Sequence, residues 1–141
     1  LPHGMSYPVS GHVKAYHPQA YPGDHPLIPH GMAVVLNAPA AFRFTAPACP
    51  EKHIQAAEAL GADVTGIGPE RAGEVLADQV ITYMKRLNIP NGLAAVGYTE
   101  ADIPALVEGT LPQHRVIKLA PRPVGAEELQ AIFRDALRYW D

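Results

Sequence analysis

The sequence predicts an all-α fold, a helical bundle of five or six helices. Three observations carry that reading. Apolar residues recur at helical spacing through most of residues 50–141. Prolines and glycines fall where helices should start and stop, and no stretch alternates convincingly as a strand apart from Phe42-Arg43-Phe44. Apolar residues make up 48% of the 141 and charged residues 18%, which suits one domain with a real core and argues against disorder or a coiled coil.

The elements follow in chain order. Pro2 and Pro29 each mark an element edge, because proline has no backbone N–H to give and forces its predecessor into extended geometry. Between them, Tyr16 through Pro29 reads as a long loop rich in Pro, Gly and Tyr. A helix is expected from about Gly31, kinked at Pro39, with Phe42-Arg43-Phe44 either its end or a short strand. Pro50 suits a first helical position, with Ile54, Ala57 and Leu60 on one face and Gly61 as the stop. Pro69 opens the next helix. Ala72, Val75, Leu76, Val80, Tyr83, Met84 and Leu87 form its stripe, and Lys85 and Arg86 suit its C-terminal dipole. Asn91-Gly92 is a turn, and either a Thr99–Asp102 capping box or, given Pro104, Asp102 itself caps a short helix running to about Gly109. The last helix carries Leu129, Ile132, Phe133, Ala136, Leu137 and Trp140 on one side.

Charge and cysteine content exclude several function classes. With 11 Lys+Arg against 14 Asp+Glu, there is no concentrated basic face for nucleic acid. No apolar run approaches the roughly 20 residues of a membrane-spanning helix. The single Cys49 has no internal disulfide partner and reads as a small buried apolar residue in a reducing compartment. The chain opens Leu1-Pro2-His3, with no initiator Met, and is expected to be a piece of a longer protein.

Histidine and proline are concentrated early: residues 1–50 hold five of seven His and nine of fifteen Pro. Within them a tetrapeptide repeats, Pro2-His3-Gly4-Met5 and Pro29-His30-Gly31-Met32. Each histidine sits at an element edge with little bulk on its C-terminal side. Two such imidazoles facing one another make half of a four-ligand metal site; the competing reading is a chance repeat that only shapes turns. His12, His17 and His25 fall in or near the loop and read as solvated. His53 and His114 read as surface residues. Gly66-Ile67-Gly68 is a turn before a helix, since it lacks the third glycine and the preceding strand of a nucleotide loop.

These residues resemble the C-terminal domain of the iron-containing (group III) alcohol dehydrogenases, an all-helical domain related to dehydroquinate synthase and glycerol dehydrogenase. The likeness is greater to the hydroxyacid–oxoacid transhydrogenase branch. His3-Gly4-Met5-Ser6-Tyr7-Pro8-Val9-Ser10-Gly11, the insert ending Asp24-His25-Pro26-Leu27-Ile28-Pro29-His30-Gly31, Gly92-Leu93-Ala94-Ala95-Val96-Gly97-Tyr98, Ala101-Asp102-Ile103-Pro104-Ala105-Leu106-Val107 and Lys118-Leu119-Ala120-Pro121-Arg122-Pro123 carry it.

The resemblance implies that His3 and His30 are metal ligands, from neighbouring helices, for iron or zinc. An Asp and a further His would come from helices preceding residue 1. NAD(P) would be held mainly by an N-terminal nucleotide-binding domain, absent here. Residues 1–141 are thus expected to be one partial, C-terminal metal-binding helical domain, inactive alone. Many relatives have a histidine where Tyr7 stands; a phenol is a far weaker base at neutral pH, so Tyr7 relays a proton differently or only orients substrate.

The activity implied is oxidation of 4-hydroxybutyrate-type hydroxyacids with 2-oxoglutarate as hydride acceptor. A general iron-containing alcohol dehydrogenase, a maleylacetate reductase-like enzyme and a non-catalytic helical binding module are the alternatives. Small hydroxyacids or alcohols are the expected partners, with Lys14 and Lys118 candidates by charge for a substrate carboxylate. A homo-oligomer is expected, because helix faces that a further domain would cover are left open. The cytoplasm is the expected location, and the mitochondrial matrix the alternative.

Overall fold

The computed structural model describes residues 1–141 and has no strand. Seven α-helices, rather than five or six, follow one another: α1 (Pro2–Gly11), α2 (His30–Thr45), α3 (Pro50–Ala59), α4 (Ala72–Arg86), α5 (Ile103–Thr110), α6 (His114–Ile117) and α7 (Ala126–Asp135). Short 3₁₀ turns precede α3, α4 and α5. The uncounted helices are the ones that periodicity serves worst. Helix α6 is four residues long, and α1 carries Pro8 in its interior.

The spine of the bundle is α2. Ala33, Leu36, Ala38, Ala40 and Ala41 are buried along it, and α1, α4 and α7 all pack against it. Its many alanines let neighbouring helices come close, and burial on several sides explains why its sequence lacks a clean polar stripe. Helix α2 runs through Pro39, and Phe42-Arg43-Phe44 is helical. Proline at 39 leaves the last turns of α2 with one fewer internal bond. Near that break the Tyr139 hydroxyl donates to the Leu36 carbonyl at 2.7 Å. Helix α3 packs on α4, and α5 packs on both α1 and α7. Met5, Leu36, Met84, Leu106, Leu129 and Phe133 meet in the core, each almost wholly buried.

Start and stop signals mostly fall as the sequence indicates. Pro50 opens α3. The Thr99 N–H donates to Asp102 Oδ2 at 2.7 Å, one half of the capping box, and the Thr99 hydroxyl donates to the same oxygen at 2.8 Å. Helix α7 stops at Asp135, short of Trp140. Just beyond it the chain is held by residues 91–94: Leu93 N and Ala94 N donate to the Ala136 and Leu137 carbonyls, each at 2.9 Å, and Asn91 Oδ1 accepts from Tyr139 N at 2.9 Å and from Trp140 N at 3.2 Å.

Two expectations near α3 need correction. His53 is buried, not a surface residue. Its Nδ1 lies 2.9 Å from the Cys49 carbonyl and its Nε2 2.8 Å from the Thr45 hydroxyl. Cys49 is half-buried rather than a core residue, and its Sγ lies 3.6 Å from His53 Nδ1. The Cys49–His53 spacing of four residues is the local signal that points to this contact.

Helix α1 is held by close contacts at two glycines. A Cβ on Gly4 would lie 2.5 Å from Ile117 Cγ2, and one on Gly109 would lie 2.6 Å from Pro8 Cβ. Gly109→Ala therefore forces α1 and α5 apart and should destabilise the protein by about 1–3 kcal/mol in urea denaturation. Gly11→Ala, at the end of α1 with nothing within 4 Å, should leave stability unchanged or slightly raised.

Candidate functional site

His3 is the second residue of α1 and His30 the first residue of α2. Each follows a proline, and Pro29 holds an extended backbone with ψ 144° before the helix begins. Glycine follows each histidine, so no side chain crowds the ring on that flank. Helices α1 and α2 pack on one another, and that packing brings the His3 and His30 rings together.

The His3 and His30 ring centroids are 5.4 Å apart, with the planes tilted by 56°. Tyr7 stands one turn after His3 on the same face of α1. Its ring lies 5.9 Å from that of His30 and 30° from coplanar. All three side chains are exposed. Two imidazoles bound to one tetrahedral ion through bonds of about 2.0–2.1 Å have centroids roughly 5 Å apart. The spacing of His3 and His30 fits that donor set, and imidazole pairs suit zinc or iron. No cluster of three or more His, Cys, Asp or Glu suited to a metal occurs in the chain.

The other histidines stand apart from this pair. His12 and His25 are exposed, at the end of α1 and in the loop before α2, His17 is half-buried in that loop, and His114 is exposed at the start of α6. Lys14, one of two cations proposed for a substrate carboxylate, is already paired: its Nζ lies 2.7 Å from Asp102 Oδ2. The hydrogen bond from Lys14 leads the causes that hold the Asp102 carboxyl below its ordinary range.

The C-terminal end of α1 is fixed from outside the helix. The Tyr98 hydroxyl donates to the Val9 carbonyl at 2.6 Å, satisfying one of the carbonyls a helix end leaves open. Ser10 Oγ donates to the Ile28 carbonyl at 3.1 Å, which ties α1 to the residues just before His30. Sequence reasoning noted Tyr98 only as part of a similar segment; nothing local to it announces an anchor 89 residues away.

The bundle is the helical architecture of iron-type dehydrogenases. It superimposes on 1,3-propanediol oxidoreductase with a TM-score of 0.78 at 27% identity, covering 96% of this chain and 32% of that one. An alcohol dehydrogenase from Oenococcus oeni gives the same TM-score at 22% identity and supports the fold alone. Residues 1–137 match the Fe-containing alcohol dehydrogenase family, C-terminal, and the chain belongs to that family. It is 54% identical over 140 residues to the mitochondrial hydroxyacid-oxoacid transhydrogenases of Xenopus tropicalis and Homo sapiens, covering 99% of this chain and 30% of each relative. A probable mitochondrial hydroxyacid-oxoacid transhydrogenase of Dictyostelium discoideum is 50% identical over 136 residues, 96% of this chain and 25% of that protein. The chain therefore spans less than a third of the length of these relatives.

Burial, with the Asp102 charge adding to it, pushes the Tyr98 phenol up from 10 to about 12. The folded state keeps this proton longer than the unfolded chain does. The stabilisation is thus fully present below about pH 10 and lost as pH rises through 12. Tyr98→Phe should lower stability at pH 7 by about 1 kcal/mol through the lost hydrogen bond. It should also flatten the fall in stability above pH 10, read from urea midpoints across pH.

Proposed function

We propose that this chain is the metal-binding, C-terminal part of a nicotinamide-dependent dehydrogenase. It serves oxidation of short hydroxyacids of the 4-hydroxybutyrate type, with 2-oxoglutarate as the hydride acceptor. The observation that carries the dehydrogenase reading is the pair of imidazoles, His3 and His30, 5.4 Å apart at the starts of two adjoining helices. The hydroxyacid–oxoacid pairing is favoured by 54% identity to transhydrogenases, against 27% to 1,3-propanediol oxidoreductase.

His3 and His30 would hold the metal through neutral ring nitrogens. The remaining protein ligands would come from helices preceding residue 1, in keeping with a donor set of two in this chain. A divalent cation bound there, iron or zinc, supplies Lewis-acid polarisation of the substrate hydroxyl. NAD(P), which would be held mainly by a preceding domain, would supply the hydride carrier between the hydroxyacid and the oxoacid. The products are succinic semialdehyde and 2-hydroxyglutarate, and the proton lost by the hydroxyl balances the one gained by the ketone oxygen.

The chain's own residues set the frame for these steps. Pro2 and Pro29 fix where each imidazole leaves the backbone. Tyr7, 5.9 Å from the His30 ring, stands where it can hydrogen-bond a substrate oxygen through its hydroxyl. The place proposed for the whole protein is the mitochondrial matrix instead of the cytoplasm, because the transhydrogenases it resembles are mitochondrial. No helix is long and apolar enough to cross a membrane.

In the intact enzyme, His3→Ala and His30→Ala should each remove most of the bound metal and lower turnover by 100-fold or more, on the order of 3 kcal/mol in transition-state terms. Metal content by elemental analysis and initial rates on 4-hydroxybutyrate check this together. Full activity in either variant refutes the ligand assignment. Oxidation of short primary alcohols in preference to 4-hydroxybutyrate refutes the transhydrogenase branch.

A further inference from the structure

A second feature lies beside α1, on residues that the metal pair does not use. Helix α6 and the segment after it enclose an open pocket of about 570 Å³. Leu111, Ile117 and Val124 supply apolar walls, and His114, Lys118 and Arg122 supply nitrogen donors. No acidic residue lines it. Lys118 and Arg122 take part in none of the chain's ion pairs, whereas Lys14 and Arg43 are paired with carboxylates.

The pocket is fixed to both helices that carry the histidines. Ile117 packs on α1 at Gly4, the residue after His3, so closely that a Cβ there would lie 2.5 Å from Ile117 Cγ2. Arg122 is held on α2: Nη1 donates to the Phe44 carbonyl at 3.0 Å and the guanidinium stacks 4.3 Å from the Phe44 ring centroid. One face of the guanidinium and its remaining N–H groups stay available, and its rotamer cost is already met by the stack. Lys118 is exposed and flexible and can close on a ligand from the other side.

We propose that this pocket binds the carboxylate of a short aliphatic acid. Charge-assisted hydrogen bonds from Lys118 and Arg122 would hold the carboxylate, and the apolar walls suit a chain of a few methylenes better than a bare inorganic anion. The carboxylate has two sources: the substrate hydroxyacid itself, or a separate free acid. The first source rests on the dehydrogenase reading above.

The test uses the intact protein. Glutarate, 1-pentanol and inorganic phosphate are titrated while the backbone amide signals of residues 114–124 are followed by NMR. Glutarate should shift these signals saturably, and Lys118→Gln combined with Arg122→Gln should weaken its binding at least tenfold, consistent with loss of hydrogen bonds to a charged group. Both side chains are exposed, so the substitutions leave the core intact. No response to glutarate, or an equal response to phosphate, overturns the proposal. Binding unchanged in the double variant overturns it as well.

Kinetics then separate the two sources. If the pocket holds the substrate's own carboxylate, Lys118→Gln lowers the ratio of kcat/KM for 4-hydroxybutyrate over 1-butanol about tenfold, and Lys118→Arg restores most of it. If glutarate binds but that ratio is unmoved, the pocket serves a free acid. A protein that binds glutarate here yet oxidises no hydroxyacid keeps the pocket and loses the dehydrogenase reading. One that oxidises hydroxyacids without a glutarate response at residues 114–124 does the reverse. A changed KM for the nucleotide in place of the acid assigns the cations to a cofactor phosphate and overturns the carboxylate proposal.

Discussion

The constraint on which the molecule depends is the burial of α2 against three neighbours. A helix enclosed by α1, α4 and α7 must be narrow, and Ala33, Ala38, Ala40 and Ala41 make it so. Leu36 is the one large hydrophobic side chain that α2 buries fully, so most of the core is filled from outside by Met5, Met84, Leu106 and Phe133. This arrangement sets the position of α1 with little freedom, because α1 is also confined by α5 at Gly109 and by Ile117 at Gly4. A ten-residue helix with a proline in its middle would be marginal alone. Here it is a rigid mount, since the surrounding helices decide its place.

The placing of the two imidazoles follows from that rigidity. His3 and His30 are distant in sequence and lie at helix ends, where fraying is ordinary. Tyr98 bonded to Val9 anchors the far end of α1, and Ser10 bonded to Ile28 ties α1 to the residues just before His30. A pair of imidazoles held this way would lose less conformational entropy on taking up the proposed cation than two on free loops. Tyr7 shares the mount because one helical turn separates it from His3.

Much of this was readable before any coordinates. The repeated Pro-His-Gly-Met picks out both rings that meet, since the prolines and glycines declare their local geometry. Pro50, Pro69 and the Thr99–Asp102 box place helix starts through chemistry confined to four or five residues. What escaped reading was decided at long range. The chain after α7 is held by residues 91–94, and His53 is buried because α2 presents Thr45 and Phe42 to it. The four-residue α6 has no room for a period. The pocket beside it assembles around side chains that look like ordinary surface charges in sequence.

The segment joining α1 to α2 has a further consequence. Its two ends are clamped, with Leu27 N–H donating to the Tyr16 carbonyl at 2.7 Å and Ile28 buried at the base. Between them Gln19 through Pro26 face solvent. The entropy of closing a loop grows only slowly with length, so extra residues inserted at that tip would cost little and would not be felt at the rings. The tip is therefore a natural attachment point for an epitope tag or a fluorophore, from which a reporter could signal partner association without touching the chemistry.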